Sequence, residues 1–517
     1  MNVETLARKT KKRMNIFMYD LAREQSWVGQ FWERVMPALK ELGYTHLGLY
    51  IEQRYHFQTI RNHRPVGGIT PTQAAEALQL CRKHNLELIW FTNTLGHCDG
   101  LLANEEFRHL ADEPYLSFQL CPSHLETRPL VLKMLKEFAA LSPSAILHIG
   151  GDECFMNGDE RCRTRGLSDA DLYLEHHQWV IQQTKKLGKR PALWGDVLLR
   201  YPQLMSAIDK DVLIFDWHYH SGSAATIRRF QEHGFEVIPT TSTDSYERVF
   251  PPFGVAKNYI APLMTEAREL NCTGICQTSW GLYRGICFDN EIAEVAAAPA
   301  LFENRPMGNF AEYFFGSKRA DRERLSSLLE RSRLLEIHPL FLTNEFRTNL
   351  LQYDSAFLHY HVFGQPDALR ALKAVAQRVA KARTLVEEMR RAATRHQEFL
   401  SHLDLPLDIF DIGFGRILAL AKIRTVVDSI YPYRLPAPEG TRALKAAAGR
   451  LGKHIEECDR LRNRLEELRQ THGSSLRDVR NLERQIVQLK TLHSYVSYHA
   501  RTYADGVELP THELWSL

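Results

Sequence analysis

A chain of 517 residues, 44% of them apolar, exceeds one ordinary domain and can fill a large core. A formal charge of +3 over that length leaves no electrostatic footprint for nucleic acid or an anionic membrane, so neither is expected as a partner. No run approaches the roughly 18 uninterrupted apolar residues of a membrane span, the opening MNVETLARKTKKR lacks the apolar centre of a signal peptide, and nine cysteines without a double CxxC spacing read as reduced, mostly buried thiols. A cytoplasmic protein without metal or cofactor is the expectation.

From residue 14 to about 303, short β-rich runs alternate with amphipathic runs, the pattern of a parallel sheet with crossover helices. The spacing predicts strands at 15–19, 45–51, 86–91, 145–149, 191–194, 212–215, 236–239 and 274–278, and eight in under 300 residues make a (β/α)8 TIM barrel over 1–304. Helices are predicted at 27–42, 71–84, 124–141, 168–187, 201–208, 224–233, 255–270 and 289–302. Thr70 before Pro71, and Ser168 before an acidic first turn, are recognisable helix starts.

After Arg305 the alternation stops, and 305–517 reads as an all-α domain. Leu461, Leu465 and Leu468, then Val479, Leu482, Ile486 and Leu489, form an apolar seam at three-and-four spacing, interrupted at His472-Gly473-Ser474-Ser475. The favoured reading is a helical hairpin over 440–497 with Gly473 as the helix stop. The alternative is a homodimeric coiled coil, which needs one helix running through Gly473 at a cost of about 1 kcal/mol relative to Ala.

In such barrels the chemistry sits in the loops after the strands. Here the stretch Ala145 to Glu153 reads as a strand, two turning glycines and then two adjacent carboxylates, Asp152 and Glu153. Most Asp-Glu pairs are solvated surface charge, but a pair at the carboxyl end of a barrel strand lies in a cleft. There the neighbouring Asp carboxylate and partial burial are both expected to favour the protonated form of Glu153, and a carboxylic acid held protonated near neutral pH is what protonation of a leaving-group oxygen requires.

The run His148-Ile149-Gly150-Gly151-Asp152-Glu153 resembles the H-x-G-G-D-E signature of glycoside hydrolase family 20, the β-N-acetylhexosaminidases. Leu95-Gly96-His97, Leu193-Trp194-Gly195-Asp196, Phe215-Asp216-Trp217 and Ser279-Trp280 support the likeness, which covers 14–303. The resemblance implies a retaining exo-enzyme that removes terminal β-linked N-acetylhexosamine from a glycan or glycoside and needs no enzymic nucleophile. The sugar's 2-acetamido oxygen would attack the anomeric carbon to give an oxazolinium, Asp152 would orient and stabilise the acetamido group, and Glu153 would act as general acid and then base.

The same likeness makes Trp194, Trp217 and Trp280 pocket walls, since an acetamido methyl and a pyranose face need flat apolar surfaces. Tyr219 or Tyr283 would donate a hydroxyl to the acetamido oxygen, Asp216 and Asp196 would bind a hydroxyl or the amide nitrogen, His97 and His148 would support the carboxylates, and Glu52 and Arg54 would reach the mouth. Two family features are displaced: the first strand reads Asn15-Ile16-Phe17 where many members carry an Arg, with Arg13 before it and Arg23 after, and Trp280-Gly281-Leu282 replaces a frequent Trp-Gly-Glu. The competing readings are a retaining barrel glycosidase with a protein nucleophile, for instance Glu153 with Asp216 or Asp196, and a sugar-binding barrel without catalysis.

Overall fold

The computed structural model describes residues 13–23, 25–113, 118–156, 159–245, 250, 253–281, 288–305, 309–321, 324–325, 327–328, 366–430, 436–474 and 476–503. Strands β1 (Met14–Asp20), β2 (His46–Tyr50), β3 (Glu87–Phe91), β4 (Ile146–His148), β5 (Arg190–Trp194), β6 (Leu213–Trp217), β7 (Glu236–Ser242) and β8 (Gly274–Ser279) pair in sequence order into a closed barrel. Closure is parallel, with Met14 opposite Gly274 and Tyr19 opposite Ser279. All eight strands read from the sequence are present, and the fold is a (β/α)8 barrel.

The strands are apolar almost throughout because both of their faces are covered. Period two divides them. Ile16, Met18, Ile89, Phe91, Ile146, Ala192, Trp194, Leu213, Phe215, Ile238 and Cys276 point inward and pack on one another. Their alternates Phe17, Leu47, Leu49, Trp90, Leu147, Leu193, Ile214, Val237 and Ile275 join the outer core beneath the helices.

Around the barrel run α1 (Gly29–Leu42), α2 (Pro71–Lys83), α3 (Thr127–Leu141), α4 (Asp169–Lys186), α5 (Asp196–Arg200), α6 (Ala224–Glu232), α7 (Phe253–Glu269) and α8 (Ile292–Phe302). The two helix starts appear as capping boxes, Thr70 with Gln73 and Ser168 with Asp171. The segment predicted as a helix over 201–208 is instead a 310 turn, Pro202–Ser206, which follows the short α5. Tyr201 leaves the helical region at φ −122°, ψ 73°, as a residue before proline is pushed to do.

Four long helices follow: α9 (Pro366–Ala392), α10 (Leu405–Ile430), α11 (Ala437–His472) and α12 (Leu476–Thr502). Gly473, at φ 70°, ends α11, and the chain reverses into α12. Leu461, Leu465 and Leu468 are buried together with Val479, Leu482, Ile486 and Leu489, so the apolar seam closes between the two helices. The hairpin tip rests on the barrel: the Ser26 amide donates to the Gly473 carbonyl at 2.9 Å, and Asp289 accepts from Arg34 at 2.7 Å with His472 at 3.7 Å. Among the described residues no helix is long and apolar enough to cross a membrane. Eight cysteines are buried and unbridged, and the ninth, Cys287, lies outside the described residues.

Candidate active site

Strand β4 has only three residues because the chain turns immediately after it. Gly150 and Gly151 sit at φ 80° and 93°, where a side chain is strained, and there is no room for one: a Cβ on Gly150 would lie 2.9 Å from the Asn93 Cα, and on Gly151 2.8 Å from the Tyr173 hydroxyl. Tyr173, on α4, donates to the Gly151 carbonyl at 2.9 Å and fixes the turn from behind. The turn delivers Asp152 and Glu153 to the carboxyl end of the barrel. Glu153 is itself held at φ 49°, as are Glu52 at 48° and His97 at 50° on the two preceding loops. With Asp244 at 53° after β7, four non-glycine residues in this region at one rim are the kind of local strain that folds keep at functional sites.

A cavity of about 400 Å³ opens there, lined by Arg23, Tyr50, His97, Asp152, Glu153, Trp194, Trp217, Tyr219, His220 and Trp280. Its floor is aromatic. Trp194 is 1% exposed and packs 4.5 Å from the His148 ring, which stacks at 4.4 Å on Phe91. Its wall joins Trp280 to Tyr219, the indole N–H donating to the phenol oxygen at 2.9 Å, and Trp217 lies 5.2 Å from the Tyr219 ring.

The opposite wall is charged. His97 Nε2 lies 3.2 Å from Asp152 Oδ2 and 3.1 Å from Glu153 Oε2, so one imidazole bridges both acids, while Nδ1 faces Glu52 at 3.9 Å. Burial opposes charge on His97, but the adjacent Asp152 and Glu153 outweigh it and raise the imidazole to about 10, so it is a cation at neutral pH. Asp152 also accepts from the Asn93 amide at 3.2 Å. Burial alone would protonate Asp152, but the His97 charge and hydrogen bond hold it below the usual range. Glu153 differs from its neighbour in being open to solvent, with its side chain 51% exposed. Asp196 accepts the Glu153 backbone N–H at 3.0 Å and the Trp217 indole N–H at 3.4 Å, and burial followed by the Asp152 charge raises it to about 6.

His148 belongs to the floor. Burial lowers it to about 3, so it is neutral, and its Nδ1 accepts the Gly150 N–H at 3.2 Å.

Residues 3–251 match the family model for the catalytic domain of glycosyl hydrolase family 20. That segment, just under half of the chain, is therefore similar to the family's catalytic domain. Two hexosaminidase D proteins match over 218 residues: the human one at 26% identity, covering 39% of this chain and 45% of that protein, and the Bos taurus one at 25%, covering 39% and 63%. This chain therefore spans about half the length of the human relative. Among solved structures, a Flavobacterium johnsoniae chitobiase is similar with a TM-score of 0.48 at 14% identity over 92% of this chain and 78% of that one.

In this barrel the residues singled out by sequence divide clearly. His97, Asp152, Glu153, Trp194, Trp217, Tyr219 and Trp280 line one cavity, with Asp196 just behind it. Asp216 does not. It is 1% exposed and accepts from Thr226 Oγ1 at 2.6 Å with His218 Nε2 at 3.1 Å, on the side of β6 that faces α6. Trp217 faces inward, so period two sends Asp216 outward, and both cannot line the pocket. Arg54 instead ties the Leu21, Gln25 and Val66 carbonyls together. Tyr283 lies outside the described residues.

Sequence reasoning missed Tyr50 and gave Arg23 no place, while Asn93 and His220 fall in the loops after β3 and β6 that strand position singles out, without a role of their own. Tyr50 is the last inward residue of β2, so strand parity alone would have found it. Arg23 follows β1 and reaches back over the mouth, 2.9 Å from Glu52, with its guanidinium 5.3 Å from the Tyr50 ring and 5.5 Å from the Trp280 ring. Burial pushes Glu52 up to about 7 against the pull of Arg23. Among the described residues three clusters with metal-compatible side chains, His109 with His124 and Glu126, Asp112 with Cys121 and Cys162, and Asp289 with His402 and His472, contribute no residue to the cavity lining.

Proposed function

We propose that the protein is a retaining exo-β-N-acetylhexosaminidase that releases terminal β-linked N-acetylglucosamine or N-acetylgalactosamine by substrate-assisted catalysis. One observation carries this reading: His97 bridges two adjacent carboxylates of opposite character, a buried and ionised Asp152 and an open Glu153, in a pocket otherwise walled by aromatic rings. Among the described lining residues these are the two carboxylates, and both come from one turn. A protein nucleophile would need a second acid on the opposite wall, where tryptophans stand.

Asp152 would accept the acetamido N–H and face the positive charge that grows as the acetamido oxygen attacks the anomeric carbon. Glu153 would protonate the glycosidic oxygen and then take a proton from the water that opens the oxazolinium. His97, protonated, keeps Asp152 ionised and holds the Glu153 carboxylate in place. Trp194, Trp217 and Trp280 would enclose the acetamide and one pyranose face, with Tyr219 toward the acetamido oxygen. Arg23 supplies at the mouth a cation for sugar hydroxyls that the interior of β1 lacks. The residues after 305 would form a separate helical domain, the route for any homodimer.

The experiment is hydrolysis of a chromogenic β-N-acetylglucosaminide and its galacto epimer. Wild type should cleave at least one, Glu153→Gln neither, and a thiazoline mimic of the bicyclic intermediate should inhibit. Inactivity of the wild type on both epimers refutes the enzyme reading. An Asp152→Asn variant with an unchanged rate refutes acetamido participation.

A further inference from the structure

Two residues beyond Glu153 the chain exposes a large aromatic side chain. Phe155 is 56% exposed, on a loop whose neighbours Cys154 and Met156 are each only 2% exposed. A bare Phe on a surface loop is ordinary when the loop is loose. This one is anchored. The Gln119 side chain grips the Phe155 peptide from both ends, its oxygen accepting the Phe155 N–H at 2.9 Å and its amide donating to the Phe155 carbonyl at 2.8 Å. Gln119 is itself 5% exposed, so the clamp is built from the interior.

The ring is held as well as the backbone. The Arg200 guanidinium stacks on one face of Phe155, 4.5 Å from the centroid, and the same Arg200 donates to the Cys154 carbonyl at 2.9 Å. Among the described residues one face is thus covered by a cation, while Phe155 as a whole stays more than half exposed. Asp196 completes the arrangement by fixing the Glu153 N–H, so the acid and the aromatic ring are two stations on one rigid segment.

We propose that Phe155 is a stacking platform for the sugar on the leaving side of the scissile bond, which makes an oligosaccharide, rather than a monosaccharide carrying a small aglycone, the substrate class of this site. The inference rests on the proposed exo-hexosaminidase reading. In that reading the pocket encloses the terminal residue, and the Glu153 carboxyl meets the glycosidic oxygen at the mouth. The next sugar must then leave past Glu153 along the outside of the barrel, where the same loop presents a flat apolar face to the C–H face of a pyranose. Free ring area that would otherwise contact only water is buried when that second sugar binds.

The test compares β-N-acetylhexosaminyl fluorides, whose leaving group is too small to reach the platform, with β-linked N-acetylhexosaminyl disaccharides. Phe155→Ala should lower kcat/KM on a disaccharide by about fivefold to tenfold, leave the fluoride within about twofold, and be restored on the disaccharide by Phe155→Trp. Equal ratios on both substrates, no change on either, or a wild type that cleaves the fluoride but none of the disaccharides overturns the platform while leaving the hydrolase reading intact. A wild type that cleaves neither overturns the hydrolase reading and the platform with it.

Discussion

At the barrel rim Glu52, His97 and Glu153 are held near φ +50°, and Glu52, His97, Asp152 and Asp196 are charged or titrating groups largely removed from water. Along α11 and α12 the described backbone is regular, the reversal is left to a glycine, and charges such as Arg469 with Glu466 pair at helical spacing on the surface. The rim holds conformations and charges that cost stability. The hairpin does what stability asks, burying leucines and exposing ions. The contrast separates the part of this chain shaped by chemistry from the part shaped by packing, and substitutions in the two regions should therefore move different observables.

The largest effect is expected at the rim and in rate alone. Glu153→Gln should reduce kcat/KM on an N-acetylglucosaminide by about 10²–10⁴-fold with an unchanged melting temperature. The mirror image is Leu482→Ala in the hairpin seam, which should lose about 2–5 kcal/mol of stability in denaturant titration while the rate per folded molecule stays put.

Along a pH axis the two regions part again. His97 is raised to about 10 from an ordinary 6.5, so the stability it contributes is complete below about 6.5 and disappears as pH climbs through 10. The difference in melting temperature between wild type and His97→Gln should accordingly shrink over that window. A constant difference across it would mean that the imidazole is neutral.

A smaller effect tests the seam's docking. Gly473→Ala puts a methyl at positive φ against the Ser26 backbone, and about 1–3 kcal/mol should be lost. The smallest is a gain: Glu153→Gly relieves the left-handed backbone at the rim and should stabilise by about 0.5–1 kcal/mol while abolishing hydrolysis. If that variant is no more stable than wild type, the rim is not strained and the contrast between the regions weakens.

Strands β1 to β8 were readable because both of their faces are buried, which leaves short continuous apolar runs between turn residues. The helix starts at Thr70 and Ser168 were readable because capping is local. The aromatic wall could be read from position, since Trp194, Trp217 and Trp280 end inward-facing strand positions. Asp216 was misplaced because its neighbour's inward direction was not carried one residue further. Tyr50 was missed because a lone Tyr at a strand end reads as core, and the role of Arg23 because its partners Glu52 and Trp280 lie far from it along the chain.

By itself the sequence determined the barrel, the strand-end turn and the adjacent acids, because these follow from periodicity, from glycine backbone freedom and from chain order. Only the tertiary structure decided what those acids experience. His97 comes from the loop after β3, Asp196 from that after β5 and Arg23 from the end of β1, and it is closure of the barrel that sets one cation between Asp152 and Glu153 and another across the mouth. Charge acts through distance in space and through loss of water, and neither can be read along a chain.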